Sequence, residues 1–203
     1  MTQQYFDEVA PAWETMRRGF FPESLKVRAA DAMPVRRGAS YLDVGAGSGF
    51  IAREVLARGG DVLALDASLR MVDELTRQGI DARVGQAERL QFADASFDGA
   101  FANMCLHHVE RPAVAVREMA RVVRPGGRVV ITDLDSHAHE FLRAEHHDRW
   151  MGFERADVAA WLRDAGLVDA SVVDARSDCC ADSECGTEKA EISIFLASAT
   201  KSS

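Results

Sequence analysis

The stretch Tyr41-Leu42-Asp43-Val44-Gly45-Ala46-Gly47-Ser48-Gly49 puts three glycines directly after a short apolar run. Glycine lets backbone come close to a bound ligand, and a helix opening at Phe50 turns its free N–H groups toward a phosphate or carboxylate. Asp66 closes the next apolar run, where an acid can accept from ribose hydroxyls. A second constellation is polar. All six histidines lie between His107 and His147, interspersed with Asp133, Asp135, Glu140 and Glu145. His107, His108, Asp133 and His137 are the candidates for proton transfer. Imidazole and carboxylate also bind metals, but these histidine pairs are sequence neighbours and no H-x-x-x-H spacing occurs, so no metal site is expected. His137 to Asp148 reads instead as a solvated helix with polar capping. Cys105, Cys179, Cys180 and Cys185 are the four thiols.

These residues need a scaffold. From Tyr41 to Val130, short β-prone runs alternate with amphipathic stretches, the signature of βαβ units. Strands are expected at Ser40–Val44, Val62–Leu65, Ala82–Val84, Phe97–Ala102, Arg128–Thr132, Ala170–Asp174 and Ile192–Ala197. Helices are expected at Phe50–Ala57, Leu69–Gln78, Ala113–Val123 and Arg155–Ala165. In the last, Val158, Trp161, Leu162 and Ala165 share one face and Gly166 supplies the cap. Ala175 to Lys189 is too short for a crossover helix, so the final two strands should pair antiparallel. The fold class is α/β: a mostly parallel sheet with one antiparallel strand and helices on both faces. Residues 1–37 carry Phe6, Val9, Trp13, Met16, Phe20 and Phe21 among charges and read as a helical cover over the sheet or its crevice; residues 38–203 form the ligand-binding unit, one domain overall.

The chain has 203 residues, 24 basic and 32 acidic, for a net charge of −8. That sign is wrong for gripping phosphate backbones, so nucleic acid is not an expected partner. No apolar run reaches the ~20 residues of a membrane span, and the start lacks a basic region followed by an apolar one. A cytoplasmic location with reduced thiols is therefore expected.

Two cofactor classes fit a glycine loop followed by an acid. A dinucleotide loop, G-x-G-x-x-G, requires glycine where this chain has Phe50, which makes a nicotinamide-dependent oxidoreductase the weaker reading. The pattern G-x-G-x-G preceded by Asp43 resembles motif I of the class I S-adenosylmethionine-dependent methyltransferases. Leu65-Asp66-Ala67-Ser68 with Met71 resembles that family's ribose motif. Gly85-Gln86-Ala87-Glu88, then Phe92 and Asp94 through Asp98, resembles its adenine loop and following strand. Asn103-Met104-Cys105-Leu106-His107-His108 and Arg124-Pro125-Gly126-Gly127-Arg128 complete the series over residues 41 to 133.

The resemblance implies a Rossmann-like sheet of seven strands and S-adenosyl-L-methionine as cofactor. It also implies cofactor contacts from Asp43, Gly45, Ala46, Gly47, Gly49, Asp66, Ala67, Met71, Gln86, Ala87, Glu88, Asn103 and Met104. Gln86 stands where the family often has an acid; an amide can still pair with an adenine edge. Met104 and Cys105 break the Asn- or Asp-Pro-Pro-aromatic signature of the enzymes that methylate nucleic-acid amino groups. Within the class the chain looks most like small-molecule enzymes, including quinone-biosynthesis and arsenite methyltransferases. The stretch His139 to Phe153 resembles methyltransferase domains fused to arsenic-repressor-like regulators. The expected partner is a small-molecule methyl acceptor, with a thiophilic metalloid such as trivalent arsenic as one candidate. Cys105, Cys179, Cys180 and Cys185 are then candidate substrate ligands, converging from loops at one sheet edge, with Tyr5 and Trp13 beside them. A non-catalytic, thiol-based metalloid-binding protein on the same fold is the alternative.

Overall fold

A computed structural model describes residues 2–183 and 186–202. Its elements in chain order are α1 (Thr2–Val9), α2 (Trp13–Phe20), α3 (Ser24–Asp31), β1 (Ser40–Val44), α4 (Phe50–Ala57), β2 (Asp61–Asp66), α5 (Leu69–Arg77), β3 (Asp81–Val84), β4 (Phe97–Asn103), a 3-10 turn (Leu106–His108), α6 (Pro112–Val122), β5 (Val123–Leu134), α7 (Phe141–Glu145), α8 (Arg155–Asp164), β6 (Leu167–Asp182) and β7 (Lys189–Lys201). The strands form one seven-stranded sheet in the order β3-β2-β1-β4-β5-β7-β6. Strands β1 to β5 pair in parallel, and β7 runs antiparallel between β5 and β6. The sheet is the Rossmann-like arrangement expected.

Alternating side chains feed two cores, as the two-residue period of a strand requires. Phe101 of β4 and Val130 of β5 join Leu25, Ala29, Ile51, Val55 and Leu75 on one face. Ala100, Ala102, Val129 and Ile131 join Val116, Met119, Val158 and Leu162 on the other. Helices α3, α4 and α5 thus cover one face, and α6 and α8 cover the opposite one. Strand order reverses between β1 and β4, so the connections from their carboxyl ends run to opposite faces and leave a crevice, the usual ligand position in open α/β sheets. No helix among the described residues is long and apolar enough to cross a membrane.

Two local expectations change. The last hairpin is longer than expected: β6 and β7 stay paired out to Asp182 and Lys189, past a register shift between Asp174 and Asp178. Cys179 and Cys180 therefore lie on a strand, not in a loop, and as neighbours they point to opposite faces. His137 to Asp148 is not a solvated helix. Only Phe141–Glu145 is helical, Phe141 and Leu142 are buried, and Asp148 is 5% exposed. The apolar pair turns this segment inward against the cover.

Candidate active site

The chain leaves β1 through Gly45, Gly47 and Gly49, which take φ values of 68°, 52° and 86°. A Cβ at Gly45 would lie 2.6 Å from the Cys105 Cβ, and one at Gly47 would lie 2.9 Å from Trp13 Nε1. Both conformation and space therefore exclude other residues at Gly45 and Gly47. The amides of Gly45 and Ala46 donate to the Leu65 carbonyl at 2.8 and 3.1 Å, tying the loop to the end of β2. Asp66 braces it further, accepting from the Gly47 amide at 2.8 Å and the Ser68 amide at 2.9 Å. Behind the loop, buried Asp43 accepts from the Ala52 amide at 3.0 Å, and burial pushes its carboxyl up to about 7.

The loop floors a cavity of about 320 Å³, at the lower end of the range for small-molecule sites. Gly45, Ala46, Gly47, Asp66, Ala67, Gln86, Ala87, Glu88, Asn103, Met104 and Cys105 line it. Asp43, Gly49 and Met71 do not. Asp43 orients the loop from behind, Gly49 opens α4, and Met71, 1% exposed, packs in the core. Asn103 accepts from the Thr132 hydroxyl at 2.7 Å, and Met104 sits at a positive φ of 50°. That turn points the chain off β4 and across the crevice.

Helices α1 and α2 roof the cavity through polar contacts to the loop. Glu14 accepts from the Ser48 hydroxyl at 2.6 Å and from Arg53 at 3.0 Å, while Asp7 accepts from the Ser68 hydroxyl at 2.6 Å. Burial opposes ionisation of Glu14, but hydrogen bonds from Arg17 and Ser48 hold its carboxyl at about 2. Arg17 is 1% exposed, paired with Glu14 at 2.7 Å and Glu23 at 2.6 Å, with its guanidinium 4.3 Å from the Phe50 ring centroid. It lines the cavity, and its Nη1 is buried with no hydrogen-bond partner. An unmatched guanidinium N–H in a cavity floored by a glycine loop fits a ligand that carries a carboxylate.

A second cavity of about 50 Å³ adjoins the first, and Phe6, Trp13, Phe21, Met104 and His108 wall both. Tyr5, Phe20, His107, His146, Asp148 and Cys179 complete its polar and aromatic lining. The 3-10 turn after β4 brings His107 and His108 together, with ring centroids 4.1 Å apart. Asp133, at the end of β5, holds this turn. One oxygen accepts from the Leu106 amide at 2.9 Å, and the other lies 2.5 Å from His107 Nδ1. The amides of Arg149 and Trp150 both donate to the His107 carbonyl at 3.0 Å, which lays Asp148 over the two imidazoles. Burial works against the His107 imidazolium, but Asp133 and Asp148 raise its pKa to about 9. Burial and the neighbouring His107 charge push His108 well below its ordinary value. His108 Nδ1 lies 3.3 Å from the His147 carbonyl, an acceptor only, so that nitrogen carries the proton.

The proton-transfer candidates thus separate. His107 is held as a cation and His108 is a weak base. Asp133 positions His107, and His137 lines neither cavity. The expectation that adjacent histidines diverge fails, because it assumed α-helical geometry; in the 3-10 turn one nitrogen of each and one oxygen of Asp148 lie within 4.8 Å of one another. The thiols separate too. Cys105 lines the larger cavity and donates to the Val44 carbonyl at 3.3 Å; Cys179 lines the smaller one, and burial pushes its thiol up to about 12. Cys180 is exposed on the far face, so it does not converge with them. Cys185 lies outside the described residues. Trp13 walls both cavities and Tyr5 the smaller one. Arg17, His146 and Asp148 went unrecognised in the sequence, since no local pattern marks a buried arginine or separates one histidine of a cluster from another.

Residues 42–131 match the methyltransferase domain family. The demethylmenaquinone methyltransferase of Paenarthrobacter aurescens is 38% identical over 133 residues, 63% of this chain and 53% of that protein. The chain spans about half the length of the curated relatives it matches most strongly. A methyltransferase from Haloferax volcanii, solved with a methyltransferase activator, superposes with a TM-score of 0.79 at 23% identity, covering 98% of each chain. Phosphoethanolamine N-methyltransferase 2 of Haemonchus contortus, solved with S-adenosyl-L-methionine, gives 0.70 at 17% identity over 88% of this chain and 52% of that one. The matched segment, residues 42–131, thus carries a methyltransferase domain, and the chain shares the fold of these solved structures.

Proposed function

We propose that the protein transfers a methyl group from S-adenosyl-L-methionine to a small acceptor held in the aromatic cavity beneath α1 and α2. The observation that carries this reading is the junction of the two cavities. A single wall of Phe6, Trp13, Phe21, Met104 and His108 separates the glycine-loop chamber from a smaller one. When bound, the cofactor supplies a methyl group on an electrophilic sulfonium. Asp66 would accept from the ribose hydroxyls, since each of its oxygens keeps a lone pair beyond its backbone bond. Ala87 and Gln86 would flank the adenine. Arg17 Nη1 would bind the carboxylate of the amino-acid end. The anchored cover excludes water from a reaction that depends on alignment.

Of the histidines that line the smaller cavity, His107 is held as a cation and His108 is a weak base. The chain therefore suits an acceptor that arrives nucleophilic or is made so at the site. A trivalent arsenic species is one such acceptor, and the Cys179 and Cys105 thiols in adjoining cavities favour it. Release of S-adenosylhomocysteine, measured across thiols, phenols, quinols, amines and arsenite, tests the proposal. Cofactor binding without turnover on any of them would favour the non-catalytic alternative, and tight NADH binding in its place would overturn both.

A further inference from the structure

We propose that His107, His108 and Asp148 bind a divalent transition-metal ion of the zinc type in the smaller cavity, where it would hold and activate the methyl acceptor. The role of the ion rests on the methyltransferase reading above; the site itself does not.

The geometry comes first. His107 Nε2 lies 3.9 Å and His108 Nδ1 3.8 Å from the same Asp148 oxygen. Ligand atoms spaced in this way surround a point within reach of all three, at the roughly 2.0 to 2.2 Å of zinc–nitrogen and zinc–oxygen bonds, after small rotamer adjustments. The outer partner is present as well. Asp133, 0% exposed, engages Nδ1 of His107 and leaves Nε2 facing Asp148. A carboxylate on the far nitrogen of a ligating imidazole is the arrangement that fixes tautomer and ring orientation at metal sites.

Two further observations point to a missing guest. His146 Nε2 is buried without a hydrogen-bond partner, and His146 lines this same cavity. The cavity, about 50 Å³, also exceeds the roughly 10 to 15 Å³ that one water needs on the same measure, so it has room for an ion with a small ligand. Imidazole and carboxylate donors select borderline divalent ions such as zinc and cobalt.

The protons balance. The ion replaces the proton on His107 Nε2, and the His108 proton moves from Nδ1 to Nε2 at the cost of a long 3.3 Å hydrogen bond to the His147 carbonyl. Three protein ligands leave a fourth position open, the pattern of catalytic zinc sites. An acceptor hydroxyl or thiol bound there would lose its proton near neutral pH without a protein base.

The test is titration of the chelator-treated protein with cobalt(II), read by visible absorption, and with zinc(II), read by melting temperature. One cobalt per chain is expected, with absorption of tetrahedral or five-coordinate intensity and a zinc-dependent rise in melting temperature. Asp148→Asn and His107→Gln should abolish the spectrum, and Asp133→Asn should weaken affinity by roughly 10- to 100-fold. Circular dichroism and S-adenosylmethionine calorimetry establish that each variant is folded. Absence of a spectrum and of a melting shift in the wild type would overturn the site, as would a spectrum that survives in both ligand variants. A thiolate–cobalt charge-transfer band lost in Cys179→Ser would close the fourth position and overturn acceptor activation. Metal binding without cofactor binding would sink the methyltransferase reading and leave the site standing; cofactor binding without metal would do the reverse.

Discussion

The Glu14 carboxylate of α2 accepts the Ser48 hydroxyl of the glycine loop at 2.6 Å, so the roof of the larger cavity is fastened directly to its floor. Glu14→Gln should lower stability by about 1 kcal/mol, the net worth of a partly screened charged hydrogen bond, or roughly 2 to 4 °C in melting temperature for a chain of this size. The pH dependence has a defined sign. Folding lowers the Glu14 pKa from 4.5 to about 2, so its contribution is complete above about 4.5 and disappears as pH falls toward 2. Melting curves across that window should converge for wild type and Glu14→Gln; a constant gap down to pH 2 would contradict the assignment.

Asp66→Ala should weaken cofactor binding by roughly 10- to 100-fold, since a charged hydrogen bond is worth about 1.5 to 3 kcal/mol. It removes the proposed ribose partner and also the brace on Gly47. Calorimetry on the folded variant reads the effect, and an unchanged dissociation constant would place the ribose elsewhere.

Arg17→Met should cost a similar factor for S-adenosylhomocysteine but leave methylthioadenosine binding unchanged, because that analogue lacks the carboxylate. Equal losses for both ligands would mean that Arg17 serves only to seat α2 through Glu14 and Glu23.

Thiol labelling of the native protein should distinguish the cysteines. In a Cys185→Ser background, Cys180 should react first and its fast phase should vanish in Cys180→Ser. Cys179, with its thiol raised to about 12 by burial, and Cys105 should react slowly, since the thiolate is the nucleophile. Equal rates for Cys179 and Cys180 would show that they do not lie on opposite faces of β6.

What the sequence by itself determined is local and periodic. The Gly45 to Gly49 turn, the acid at the end of the second strand and the alternation of strand with amphipathic helix are encoded within short windows, because backbone conformation and two- or 3.6-residue periods act at that range. They were enough to define a mostly parallel sheet and its antiparallel pair; the cofactor class came from the resemblance of the ordered motifs to a known family. Only the tertiary structure decided what the polar residues do. Asp133 reaches His107 across 26 residues of chain, and Asp148 is turned onto both imidazoles by backbone bonds from Arg149 and Trp150 to the 3-10 turn. Burial then converts one neighbouring histidine into a cation and leaves the other a weak base, a distinction two adjacent letters cannot carry. Arg17 reads as a surface charge on a short amphipathic helix until Phe50, Glu14 and Glu23 enclose it. Cys179 and Cys180 likewise parted because pairing with β7 extended through them, and successive residues of a strand point to opposite faces.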